Sequence, residues 1–230
     1  ILIGLVGGGI PFLLFFKGLS LSTAATGSFI HKTMFLYVTI LAFFFLKEKI
    51  DKKLIFAIFL LLFGNAFLLK LLPIKKLNVG DLLVFLAVLF WSVEQILAKK
   101  AVIHISPRLV AWGRMFFGLL IIIGFWLITN QFSLIFTLNL KQILWVVLTS
   151  FLLFGYVLTW YSGIKYLPIS TATCLLALGS PITTLLDLTK GKIINWQEIV
   201  GSILIALAIF IILLAEKIQF KIVKLGKIKL

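Results

Sequence analysis

The stretch TGSFIHKTMFLYVTILAFFFL, residues 26–46, decides how the rest of the chain is read. It is long and apolar enough to cross a bilayer, whose hydrocarbon core about 30 Å thick needs roughly 20 apolar residues per helical crossing. Yet it carries His31 and Lys32 in its interior. A lysine there is either tolerated near a helix end or belongs to a site buried in the membrane. The 230 residues are 62% hydrophobic and 13% charged, with a mean hydropathy of +1.22, against roughly 25% charged residues in soluble domains. Similar apolar runs recur with short polar breaks. They are continuous rather than alternating, which selects helices over a β-barrel. The expectation is an all-α integral membrane protein, a multi-helix bundle.

Eight apolar segments, lettered A to H, fall at residues 1–16, 23–46, 54–72, 81–98, 108–129, 141–161, 170–188 and 197–215. Short connections make neighbours in sequence neighbours in space. The formal charge of +15 does not point to nucleic acid, because the basic residues lie between the apolar runs and in the tail, 216–230. They act as topology signals. With the tail in the cytoplasm, thirteen Lys and Arg residues fall inside and seven outside. This orientation places a multi-pass protein in the plasma (inner) membrane with its C-terminus cytoplasmic. Cys174 is the single cysteine, so neither an internal disulfide nor a cysteine-based metal cluster is expected, and no cofactor is implied.

An internal repeat orders the segments. LSTAATGSFIHKTMF, from residue 21, aligns with ISTATCLLALGSPIT, from residue 169, and the glycines Gly18 and Gly163 precede them at matching places. Downstream, LKEKIDKKLIFAIFLLLFG resembles TKGKIINWQEIVGSILIALA. Segments A, B and C therefore match F, G and H, which leaves D and E without partners. Residues 1–72 read as the last three helices of one unit and 80–215 as a complete five-helix unit. On this pattern two further helices, about 60 residues with their connections, are expected ahead of residue 1. A unit with an odd number of crossings inserts upside-down relative to its tandem copy, the architecture of many secondary transporters.

Three blocks carry a family resemblance: LSTAATGS running on to FFFLKEKID, then GDLLVFLAVLFWSVEQILAKKAV, then LPISTATCLLALGSPITTLL. On these the chain is similar to the EamA-like branch of the drug/metabolite transporter superfamily. The resemblance implies ten helices in two inverted five-helix repeats (5+5), eight of them seen here. It also implies cytoplasmic termini in the complete protein and movement of small organic solutes, often outward. Thr33 stands where family members often carry a proline, a place filled by Pro181 in the second repeat, and Gly191 stands where Glu48 would match.

Lys32 is the first candidate for function. A charge at a helix centre costs about 2.5 to 3.5 kcal/mol on the insertion scale, and each Leu, Ile, Phe or Val returns roughly 0.3 to 0.6. Segment B holds eleven of these, so it inserts with or without the lysine. Depth argues for use, since Lys32 lies about ten residues from either end, too deep for easy snorkelling. At 100° per residue, Ser28, Lys32 and Thr39 share one stripe of segment B, and Thr173, Ser180, Thr184 and Asp187 share one of segment G. Ser180 occupies the place equivalent to Lys32. These stripes are expected to line one cavity, with Lys32 holding an anionic group and His31 acting as a second donor or titratable switch. The alternative is a structural lysine paired with Asp187 or Glu94. Glu94 and Trp91 offer a surface for a solute amine; alternatively Glu94 forms an ion pair with Arg114. Gly7, Gly8, Gly9, Pro11 and Pro181 read as packing or hinge positions.

Three function classes compete. One is a secondary transporter of small solutes, amino-acid-like or other metabolites, working by alternating access at a midplane cavity, with proton coupling through Glu94 or His31 possible. An intramembrane enzyme would need a carboxylate pair, a metal-spaced His cluster or an activated nucleophile; His31, His104 in a connecting loop, and scattered acids give none, so no enzyme is expected. The third class is a translocator of a lipid-linked or phosphorylated solute, or a non-transporting membrane assembly protein. Its bundle would be the same.

Overall fold

The computed structural model describes residues 1–70, 78–191 and 193–227, with side chains as far as Ala215. The last two positions of segment C, Lys75, Lys76, Lys192 and residues 228–230 of the tail lie outside the described residues. A π-helical turn, Gly4–Gly9, leads into α1 (Ile10–Leu21). One crossing contains both α2 (Ala24–Lys32) and α3 (Met34–Leu46). Then follow α4 (Lys52–Leu68), α5 (Val79–His104), α6 (Pro107–Ile128) and α7 (Leu140–Ile164). The next crossing is α8 (Ile169–Leu175), a 3-10 turn Leu176–Leu178 and α9 (Gly179–Thr189); α10 (Trp196–Lys227) closes the chain. No strand occurs among the described residues.

Seven helical stretches among the described residues are long and apolar enough to span a membrane, which makes this a multi-pass membrane protein. The eighth segment expected from the sequence, C, is α4 with 17 residues, about 26 Å at 1.5 Å per residue, just short of the hydrocarbon thickness. Segments B and G, read as single helices, are each two. Segment A begins in a π turn and runs on to Leu21. His104, read as a loop residue, is the last residue of α5, and α10 carries the backbone of the tail on to Lys227.

Polar caps fix where helices start. Asn78 and Asp81 form a reciprocal capping box on α5, as do Asn139 and Gln142 on α7, and Asp51 accepts from the amide of Leu54 at 2.8 Å on α4; each satisfies donors that an apolar run leaves open. The breaks have local causes. Pro181 has no N–H for the carbonyl of Ala177, four residues back, and Ala177 is the middle residue of the 3-10 turn. At Thr33 the hydroxyl donates to the carbonyl of Ile30 at 2.7 Å, taking an acceptor that a continuous helix would use.

Two cores result, one around Val38, Trp91 and Tyr161, the other around Leu61, Cys174 and Ile205. The outer face of α7 presents Leu144, Trp145, Val147 and Phe151, as a lipid-facing helix should. Ser22 and Ser170, aligned in the sequence repeat, each donate a hydroxyl hydrogen to a carboxylate: Ser22 to Asp81 Oδ1, and Ser170 to Glu48 Oε2 at 2.5 Å. Glu48 also accepts from the amides of Ile169 at 2.7 Å and Ser170 at 3.1 Å. These ties sit at opposite ends of the α2–α3 crossing.

Backbones meet where the π turn crosses α6 and where α4 crosses α10. A Cβ on Gly8 would lie 2.3 Å from the Arg114 carbonyl oxygen, and one on Gly201 would lie 2.6 Å from that of Gly64. Small residues permit such an approach. Gly8→Ala is expected to destabilise by about 1–3 kcal/mol, the usual range for overpacking, and to lower the thermal midpoint of the detergent-solubilised protein. Gly124→Ala, where no described atom lies within 4 Å of the added carbon, is expected to leave it unchanged.

Candidate solute-binding site

Pro11 has no N–H to give the carbonyl of Gly7, four residues earlier. Two side chains take that carbonyl: Trp91 Nε1 donates at 3.0 Å and Arg114 Nη2 at 3.1 Å. Glu94 packs against the same glycine, where an added Cβ would lie 2.3 Å from Glu94 Cγ and 3.2 Å from Arg114 Nε. Glu94 is 0% exposed. Its carboxylate accepts from the Tyr161 hydroxyl and, at 3.0 Å, from Gln95 Nε2, while Gln95 Oε1 accepts from Trp160 Nε1 at 2.9 Å. Glu94 and Arg114 are therefore brought together beside Gly7 but not within ion-pair distance; among the described residues that distance is reached by Lys70 and Glu198, at 3.7 Å. Arg114 Cζ lies 6.0 Å from the centre of the Phe12 ring, a cation–π contact in a poorly solvated place.

Lys32 ends α2, and its ammonium donates to Ser180 Oγ on α9. Ser180 in turn donates to Asn65 Oδ1 on α4 at 3.2 Å. Neither Glu94 nor Asp187, the carboxylates that the sequence offered, reaches Lys32, and no described carboxylate lies within ion-pair distance of it. His31 joins the two groups. It follows Phe15 and Trp91 at ring-centre distances of 5.3 Å each, and Trp91 is the residue held by Gly7. One polar and aromatic belt thus runs from Asn65 through Ser180, Lys32, His31 and Trp91 to Gly7, Arg114 and Glu94.

Other expected residues stand apart. Thr173 turns to its own helix, donating to the Ile169 and Ser170 carbonyls at 2.9 and 3.0 Å. Thr184 donates to the Ser180 carbonyl at 3.2 Å, and Ser28 is half-buried one turn before Lys32. Sealed by Tyr161 and Gln95, the Glu94 carboxylate presents no open surface to a solute amine in this conformation. Sequence reasoning missed Asn65 and Gln95. The signal was present, since each is an amide inside an apolar run.

The family model for "EamA-like transporter family" matches residues 1–70 and 78–214. The chain belongs to that family. Among relatives, the EamA-like chain is 26% identical over 208 residues to "Uncharacterized transporter YyaM" of Bacillus subtilis (strain 168), which covers 85% of this chain and 66% of the relative. The chain thus spans just under two thirds of that relative's length. A solved crystal structure superposes with a TM-score of 0.74 over 92% of this chain and 75% of that one, at 17% identity. That likeness is one of fold.

Tyr161→Phe tests the belt. Removing the hydroxyl deprives a buried carboxylate oxygen of a donor, which costs about 1–3 kcal/mol, so a lower thermal midpoint is expected. Tyr166→Phe, at a 75% exposed ring, should leave the midpoint in place.

Proposed function

We propose that this EamA-like chain is a secondary transporter that moves a small organic solute bearing an anionic group, such as an amino-acid-like metabolite. In this reading it does so outward across the plasma (inner) membrane, with a cytoplasmic C-terminus. The mechanism is alternating access within a ten-helix fold of two inverted five-helix repeats, to which this chain contributes eight helices. The observation that carries the reading is Lys32. An ammonium inside a membrane-spanning helix is costly and is a functional hypothesis by default; this one meets only a neutral hydroxyl among the described residues. It also meets that hydroxyl at the repeat-equivalent position, where both crossings are broken. Broken helices that converge from two repeats are where secondary transporters hold their solutes. The ammonium supplies charge and Ser180 a second polar contact, with His31 and Trp91 next along the belt.

Counterflow in proteoliposomes against pooled amino acids and small organic acids tests this. Saturable exchange is expected, with Lys32→Met weakening apparent affinity about 10–100-fold, the loss of one charge-assisted contact of roughly 1.5–3 kcal/mol. Saturable exchange with unchanged affinity in the mutant would remove Lys32 from the binding role.

A further inference from the structure

Asn65 on α4 is 1% exposed, and both ends of its carboxamide are committed. The end facing the Leu61 carbonyl must be the NH₂, because a carbonyl only accepts; that bond is 2.8 Å. This fixes Oδ1 toward Ser180, whose hydroxyl donates to it at 3.2 Å. A serine hydroxyl has one hydrogen. With that hydrogen given to Asn65, Ser180 can meet Lys32 only through a lone pair, which is the sense of the bond observed. The chain therefore runs from ammonium to hydroxyl to amide carbonyl and ends on a neutral group.

We propose that Asn65 is the positioning residue that sets the charge selectivity of the site: its carboxamide orients Ser180 toward Lys32 without neutralising the ammonium. This rests on the transport reading of Lys32. An aspartate in the same place has nearly the same shape and would supply, through Ser180, the counter-charge that the native site leaves to the solute. The native amide keeps the cation open to anions.

The test combines two readouts on wild type, Asn65→Asp, Lys32→Met and the double variant. In the first, thermal midpoints of the purified full chain are compared. Asn65→Asp, which also gives up the bond to the Leu61 carbonyl, should lower the midpoint more when Lys32 is methionine than when Lys32 is present, because only then is the new carboxylate buried alone. In the second, counterflow uses L-glutamate, succinate and inorganic phosphate as anionic probes. For whichever of these the wild type exchanges, Asn65→Asp should raise the KM roughly tenfold or more, with Asn65→Leu raising it less, as expected when a compensating charge competes with an anion. A KM unchanged in Asn65→Asp while Lys32→Met abolishes exchange would overturn the assignment and leave the transport reading standing. Absence of thermal coupling between positions 32 and 65 would also overturn it. Exchange indifferent to Lys32→Met would instead remove Lys32 from the binding role on which the assignment rests.

Discussion

Hydrocarbon offers no hydrogen-bond partner, so every polar group that the sequence carries into it must be answered from within the bundle. Much of the architecture follows from that constraint. Pro11 releases the Gly7 carbonyl, and Trp91 and Arg114 converge on it from two other helices. Thr33 takes up the Ile30 carbonyl where α2 ends. Glu48, just past α3, satisfies the first amides of α8. At Gly7 and at Glu48, where a helix is interrupted or ends, separate elements are pinned together.

The belt has an uneven charge distribution. Arg114 and Glu94 meet beside the same glycine, each with its own hydrogen bonds, and their opposite signs offset one another across a short distance in a weakly screening medium. Among the described residues Lys32 meets a serine and, beyond it, an amide, with no carboxylate within ion-pair distance. The site is asymmetric: one half holds opposite charges beside Gly7, with Arg114 Nε buried and unbonded among the described residues, and the other holds an ammonium on a neutral partner. An anionic solute would complete the second half while leaving the first undisturbed.

Much of this was legible in the sequence, and what was missed has a physical cause. Apolar runs located the crossings because insertion depends on summed hydrophobicity, which the sequence states directly. The Ser-Thr-Ala alignment placed Lys32 and Ser180 at equivalent positions, and the two side chains do meet. Pro181 was read as a packing or hinge position, but the stripes were drawn on a uniform 100° axis; Thr33 and the 3-10 turn before Pro181 interrupt it, which also explains why Thr173 falls away from Ser180. The direct Glu94–Arg114 pair failed for a different reason. Hairpin spacing brings two residues to similar depth, but it says nothing of competing partners: Tyr161 and Gln95 donate to the Glu94 carboxylate, and Arg114 donates to the Gly7 carbonyl. Asn65 stood out as an amide in an apolar run, but its partner, 115 positions away, could not be read from local spacing.

The glycine crossings have a consequence for leakage. At Gly8 against Arg114 and at Gly64 against Gly201 the main chains touch, so no lane the width of a methyl group remains along those seams for a file of water or a stray ion. A membrane potential acts on any continuous wet path with about 2.3 kcal/mol per elementary charge for each 100 mV. Side chains at such seams would repack and breathe; abutting backbones cannot. Close backbone packing at these crossings narrows the room beside the polar belt.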